Sequence, residues 1–394
     1  MSTIDAPRGT APSPGDEPLP TVESKRHHGE PPVVTSGAIP APSIRSISVL
    51  RADDSADPDS DPGVADDALL QIHRGMVLTR VFDVRMLNMQ RQGQMGTFAP
   101  GFGQEATQIG QVALLGDQDW FSPSYRSFGA QIWRGWEMER LFKLWAGYHE
   151  GFAPPPGVRD MPFCIVIGSH LLPAVGLGMA MQYQDDPGIV MVNFGDGAMS
   201  QGAAGEAFNF AAVNKAPVVF CVENNGYAIS MPTEEQCAHE VLAQRGVGFG
   251  IPSIRADGND ILAMLAAMKE ATERARTGGG PTLVEAVTYR MGVHTTADDP
   301  TVYRTDEEAE AWTKRDPIAR FERYLIKRGL IDEAGVAEVN ESCEAQVRSA
   351  RERFDAERRA APEEVFDFMF ESMPPELQEQ KDEYMARLKR KGVL

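Results

Sequence analysis

The chain has 394 residues, 42% of them hydrophobic, with 57 acidic side chains against 38 basic ones and a formal net charge of −19 at pH 7. That length holds one large or two modest domains with a substantial core, and the charge excludes nucleic acid as a partner, because a phosphate backbone needs a basic footprint. Cys164, Cys221, Cys237 and Cys343 show neither CxxC spacing nor a paired histidine pattern, which argues against zinc and iron–sulfur sites and fits a reducing compartment.

Residues 1–63 are rich in Pro, Ser, Asp and small residues, and an acidic run covers 52–67. Such a segment cannot offset its ordering entropy by burial, so a disordered acidic tail is expected, with a docking or regulatory arm as its alternative role. From Asp67 to Gln92 apolar residues recur at helical spacing (Leu69, Ile72, Met76, Val77, Val81, Met86, Leu87), predicting an amphipathic helix that packs rather than catalyses. Gly101, Gly103 and Ala106 imitate a dinucleotide fingerprint, but no strand precedes them, and the fingerprint is rejected. A short strand then leads to Tyr125-Arg126, an arginine open to a surface ion pair or to anion binding. Trp133, Trp136 and Trp145 sit at near-helical spacing and read as core or subunit contact.

Residues 162–181 are apolar enough to raise a membrane span, yet they contain Ser169, His170 and Pro173 and lack basic anchors. A buried strand over Phe163–Ile167 leading into a core helix is predicted instead, with Cys164 and Cys221 as small core residues in strands. The amino terminus has no apolar signal core, so a soluble cytoplasmic protein, without a membrane partner, is expected.

The densest pattern covers 188–230. An apolar run from Ile189 to Phe194 ends in Gly195-Asp196-Gly197, a small-residue helical segment follows, and a second apolar run from Val218 to Val222 ends in Asn224-Asn225-Gly226. Short apolar runs joined by a helix predict parallel strands, and in such a sheet the ligand site lies beyond the strands' carboxyl ends. Asp196 and Asn225 each follow a strand, so both can converge on one point and offer Mg²⁺ the hard oxygens it takes. Gly195 and Gly197 permit close backbone approach, and a helix from near Ser200 offers free N–H groups to phosphate. The expected site is a diphosphate–Mg²⁺ cradle.

Further on, Ile254 to Asp257 reads as a strand and Asp257, Asn259 and Asp260 as helix-capping residues ahead of Ile261. Pro281 to Tyr289 is a buried strand whose end delivers the loop Arg290 to Arg304, with His294, to the same edge as the cradle. Residues 306–394 are charged and helical, suited to packing and subunit contact.

GDG followed by NN, each after a strand, resembles the thiamine diphosphate motif, and the text Asn224-Asn225-Gly226-Tyr227-Ala228-Ile229-Ser230 is similar to the alpha subunits of 2-oxo acid dehydrogenases. The resemblance spans roughly residues 68–390 and includes Ala99-Pro100 to Gln104-Glu105-Ala106, Tyr125-Arg126, Ile165 to Gly168 and the loop Gly292-Val293-His294-Thr295. It implies an α/β fold, a parallel sheet flanked by helices with a thiamine-diphosphate-binding domain over 64–330, and a helical extension over 331–394. It further implies that Tyr125 and Arg126 hold the diphosphate, and that Ile165 and Ile167 meet the aminopyrimidine. Gly195, Asp196, Gly197, Ala198, Asn225 and Tyr227 would complete the cofactor site, with Asp196, Asn225 and Tyr227 on the metal. His294 would contact the cofactor and assist acyl transfer to a lipoyl group. Three positions depart from relatives: Ala99 replaces a histidine of mitochondrial pyruvate enzymes, His170 replaces a common glutamine beside a possible monovalent-cation site at Ser169, and Glu223 stands where some branched-chain relatives have arginine.

Decarboxylating a 2-oxo acid leaves an acyl carbanion that no side chain can hold, so a cofactor electron sink is needed. The glutamate that activates thiamine diphosphate comes, in this family, from a separate domain for which the chain has no room. The resemblance therefore implies a beta subunit in a heterotetramer of two alpha and two beta chains, a lipoylated acyltransferase as acceptor, and a small 2-oxo acid as substrate. Pyruvate is the expected acid and a branched-chain 2-oxo acid the alternative; a non-catalytic interaction protein that kept the fold is the reading from another class.

Overall fold

The computed structural model describes residues 44–357 and 361–393. Its frame is a six-stranded sheet built from β1 (Arg45–Ile47), β2 (Trp120–Ser122), β3 (Val190–Gly195), β4 (Val218–Asn224), β7 (Ser253–Asp257) and β8 (Thr282–Val287), in the order β1-β7-β8-β4-β3-β2 and parallel throughout. A small antiparallel ribbon, β5 (Tyr227–Ala228) and β6 (Met231–Pro232), projects from the end of β4.

The strands are continuous apolar runs because both faces of the sheet are covered. Side chains alternate along a strand, and the two faces collect different residues. Val190, Val192, Phe194, Val218, Phe220, Val222 and Leu283 pack beneath the helices Leu171–Tyr183 and Gly202–Asn214. Met191, Val219, Cys221, Val284 and Ala286 face the larger core formed with Asp66–Arg91, Ile261–Arg276 and Pro317–Lys327. The long helix Glu333–Glu357 adds Cys343, Val347 and Ala350 to that same core, so the helical extension is partly integral to the α/β body.

Several expectations meet the structure directly. The helix expected from Asp67 runs Asp66–Arg91. The helix expected near Ser200 begins at Gly202, after a single turn Asp196–Met199 that starts at the end of β3. Asp260 caps Ile261–Arg276 by accepting from Leu262 N and Ala263 N at 3.0 and 3.2 Å.

Two expectations are corrected. The tail was expected to be disordered to residue 63, but β1 pairs with β7, and the N–H groups of Val49 and Leu50 both donate to Asp260 Oδ2 at 2.7 and 2.6 Å. Ile47, Val49 and Leu50 are buried there, and average composition hid them. Residues 1–43 of that tail lie outside the described residues. The acidic run is also tied down: Asp54 pairs with Arg323 at 2.9 Å and Asp66 with Arg328 at 2.8 Å. Exposed pairs of this kind contribute little each.

The second correction concerns Phe163–Ile167, expected as a buried strand. It forms only an isolated bridge, Ser124 to Cys164, and Ile165, Val166 and Ile167 are 59%, 69% and 44% exposed. The chain turns immediately after them, Ser169 N and Oγ both donating to Val166 O, with Gly168 at φ +78°. Cys164 is accordingly half-buried rather than a core residue, whereas Cys221 sits within β4 as expected. No helix among the described residues is long and apolar enough to cross a membrane.

Candidate active site

Parallel pairing of β2, β3, β4 and β8 brings their carboxyl ends to one edge of the sheet. A cavity of about 560 Å³ opens there, and its wall contains every residue expected from the sequence to contact the cofactor or its metal. Asp196 and Asn225, just past β3 and β4, are 3% and 6% exposed. Gln236 Nε2 donates to Asp196 Oδ2 at 2.9 Å, and burial raises the Asp196 pKa above the usual carboxyl range. Asn225 Nδ2 donates to Gln104 Oε1 at 3.1 Å while its Oδ1 accepts from Tyr227 N at 3.3 Å.

Gly195 and Gly197 serve different ends. A Cβ on Gly195 would meet no atom within 4 Å, so this position leaves open space at the strand end; one on Gly197 would lie 2.9 Å from Ala228 Cβ, so only glycine lets the turn lie against the β5 ribbon. Ala198, next in the turn, also lines the cavity.

On the facing wall, Arg126 follows β2 and is 4% exposed. It donates to Pro100 O, to His294 O at 3.2 Å and to His294 Nδ1 at 3.1 Å. Tyr125 sets its ring edge-on to His294 at a centroid distance of 6.4 Å. Arg290, past β8, is 1% exposed and donates to Ile229 O at 2.7 Å, Tyr303 Oη at 2.9 Å, Tyr227 O at 3.3 Å and His294 Nδ1 at 3.3 Å. Every acceptor of these two guanidiniums among the described residues is uncharged. Positive charge is thus left facing the cavity.

A guanidinium can only donate, so Nδ1 of His294 is the acceptor and the proton of the neutral ring sits on Nε2. Burial, reinforced by Arg126 and Arg290, lowers the His294 pKa to about 4. Its loop is held by Asp298 Oδ2, which accepts from His294 N at 2.7 Å and Tyr303 Oη at 2.6 Å, and by Arg304, which donates to Arg290 O and Met291 O. Tyr227 turns its hydroxyl to Glu308, donating at 2.9 Å, while its backbone carbonyl accepts from Arg290. Ile165 and Ile167 form an apolar lip of the same cavity. His170 is a hydrogen-bonded histidine, with Nε2 donating to Asn193 O at 2.8 Å.

Comparison with known proteins places the chain in a family. Residues 73–363 match the family model described as the dehydrogenase E1 component. The chain belongs to the dehydrogenase E1 component family. It is 43% identical over 330 residues to the pyruvate dehydrogenase E1 component subunit alpha of Acholeplasma laidlawii, covering 83% of this chain and 96% of that protein. It is 39% identical to the subunit of that name from Staphylococcus aureus, covering 83% of this chain and 88% of the relative. With the 3-methyl-2-oxobutanoate dehydrogenase subunit alpha of Mycobacterium tuberculosis it shares 41% identity over 82% of this chain and 89% of the relative.

Within this E1 chain, two wall or near-wall residues, Arg290 and Gln104, escaped the reading of the sequence, and a third, Glu223, was noted there only as a departure from relatives. Arg290 was taken only as the start of a loop. Gln104, fully buried and bonded to Asn225, was hidden in a segment recognised by its text. Glu223 is 3% exposed inside an apolar strand, and burial pushes its pKa up to about 7, offset by Asn193 Nδ2 at 3.1 Å and Gln111 Nε2 at 3.2 Å. The available signal was a lone charged residue at the end of a strand buried on both faces, which needs an internal partner or a function.

Proposed function

We propose that this chain is the alpha subunit of the decarboxylating component of a cytoplasmic pyruvate dehydrogenase complex. In this reading it binds thiamine diphosphate and Mg²⁺, pairs with a beta subunit in a heterotetramer of two alpha and two beta chains, and hands the acyl group to the lipoyl group of an acyltransferase. The supporting observation is that Arg126, Asp196, Asn225 and His294, from four separate strand ends, line one cavity.

The donor set fits the group. Asp196 and Asn225 would hold Mg²⁺ through hard oxygens, with the Tyr227 carbonyl as a third donor. Tyr125 and Arg126 would hold the diphosphate, Arg126 as a planar fork and Arg290 behind it as a second charge. Gly195, Gly197 and Ala198 leave the approach clear, and Ile165 and Ile167 give the aminopyrimidine an apolar wall. When bound, thiamine diphosphate supplies the nucleophilic carbon and the electron sink that side chains lack. His294, neutral at pH 7, keeps its Nε2–H toward the cavity and moves a proton at that atom during acyl transfer.

The 41% identity to a 3-methyl-2-oxobutanoate dehydrogenase subunit supports the branched-chain acid as the second reading. Turnover of pyruvate and 3-methyl-2-oxobutanoate by the assembled component separates the two. Asp196→Ala and Asn225→Ala should each weaken Mg²⁺-dependent thiamine diphosphate binding, read by calorimetry, by about tenfold or more, in line with the loss of a metal ligand's support. Unchanged affinity in both variants would remove the assignment.

A further inference from the structure

Away from the strand-end cavity, three metal-ligating side chains from two distant stretches of chain meet. His149 and Glu150 begin the 3-10 turn His149–Phe152, and Glu364 begins the single helical turn Glu364–Asp367. His149 Nδ1 lies 3.5 Å from Glu150 Oε2 and 3.7 Å from Glu364 Oε2, and the three ligand atoms all fall within 4.8 Å of one another. Both separations are long for an N–H···O hydrogen bond. They are close to the edge of a tetrahedron around zinc, about 3.3–3.6 Å for bonds of about 2.0–2.2 Å to nitrogen and oxygen.

The Glu364 carboxylate is itself short of a partner. Its Oε1 accepts from Ala361 N at 3.0 Å, which orients the group, whereas Oε2 is closed off from solvent and has no hydrogen-bond donor. An anionic oxygen out of water without a donor is costly unless a cation meets it. Phe368 lies against the face of the His149 ring, with centroids 3.8 Å and planes 33° apart. A metal bond lies in the imidazole plane, so this contact holds the ring and leaves Nδ1 free to ligate. Glu150 and Glu364 also line a cavity of about 660 Å³, from which water reaches a fourth position. The two carboxylates cancel the charge of a divalent ion.

Little else holds the arm to which Glu364 belongs. The turn Glu364–Asp367 and the helix Pro375–Arg390 bury no residue, and Val365, Phe368, Met369 and Phe370 are exposed.

We propose that His149 Nδ1, Glu150 Oε2 and Glu364 Oε2 bind one Zn²⁺ ion, which fastens this carboxyl-terminal arm to the turn that follows the helix Met138–Ala146. An imidazole among the ligands selects a borderline ion such as zinc over Mg²⁺, which takes oxygen ligands. None of the three residues lines the strand-end cavity, so the site is independent of the proposed function.

The test is calorimetric titration of the metal-stripped full chain, in the assembly in which it is isolated, with zinc chloride in excess Mg²⁺. One equivalent per chain should bind with a Kd of about 10 µM or tighter. His149→Phe, which keeps an aromatic face for Phe368, and Glu364→Gln should each weaken that binding by about tenfold or more. Zinc should also slow tryptic cleavage at Lys381 and Arg387 by about fivefold or more in the wild type and in neither variant. Both substitutions sit at the surface, and circular dichroism reports that the fold is kept. Weaker binding by the wild type, or undiminished binding by either variant, would overturn the site; zinc bound through these residues with cleavage unchanged would overturn the fastening.

Discussion

Two guanidiniums aimed at one nitrogen fix the state of His294, and this has a pH signature. The ordinary histidine value is 6.5 and burial with Arg126 and Arg290 lowers it to about 4. Between those values the unfolded chain takes up a proton that the folded chain refuses, so stability falls as pH drops through the window. Allowing for partial solvent screening, the loss is on the order of 1–2 kcal/mol. His294→Gln should remove that slope, and urea unfolding at pH 7 and at pH 4.5 measures it; parallel wild-type and variant profiles would show that the ring does not titrate as described. Glu223 has the opposite sign, because its folded value is raised from 4.5 to about 7. Its stabilising contribution is present below pH 4.5 and is lost as pH rises through 7, so Glu223→Gln should gain on the wild type by on the order of 2 kcal/mol between pH 5 and pH 8. Equal pH dependence in the two proteins would contradict the protonated carboxyl. Asp196 and Asn225 were legible in the sequence because an apolar run announces a strand end. Arg290 was not, because nothing in a loop's text tells how many carbonyls it will converge on.

At the scale of elements, the four carboxyl-terminal strand ends were readable, since runs such as Val218 to Val222 can only be strands buried on both faces. The same rule misled at Ile165 to Ile167, where consecutive β-branched residues line a cavity instead of a sheet. Apolar runs report a dry neighbour and do not say whether that neighbour is this chain. The segment once compared with a dinucleotide fingerprint owes its glycines to packing. Gly103 has φ +94°, and a Cβ there would lie 2.7 Å from Tyr289 O and from Met291 Cγ. Gly103→Ala should therefore destabilise the chain by at least about 2 kcal/mol through backbone strain and displacement of the strand-end loop. Chemical denaturation would show it, and a loss under about 0.5 kcal/mol would mean the loop yields freely. Edge strand β1 was missed because three residues of strand were averaged into a polar tail.

For the whole molecule, one sheet, two covered faces and a single functional edge leave no second domain of comparable size among the described residues. The cavity wall holds candidate ligands for a metal and a diphosphate, a neutral imidazole and an apolar lip. The glutamate that thiamine chemistry requires is assigned by the proposed function to a beta subunit. Decarboxylation of pyruvate, measured with thiamine diphosphate and Mg²⁺ for the chain alone and for the chain co-expressed with its beta subunit, tests this most directly. The account predicts turnover only by the pair, lost again in Asp196→Ala. Turnover by the chain alone would contradict the half-site, and a correctly assembled pair inactive on both pyruvate and 3-methyl-2-oxobutanoate would contradict the proposed function itself.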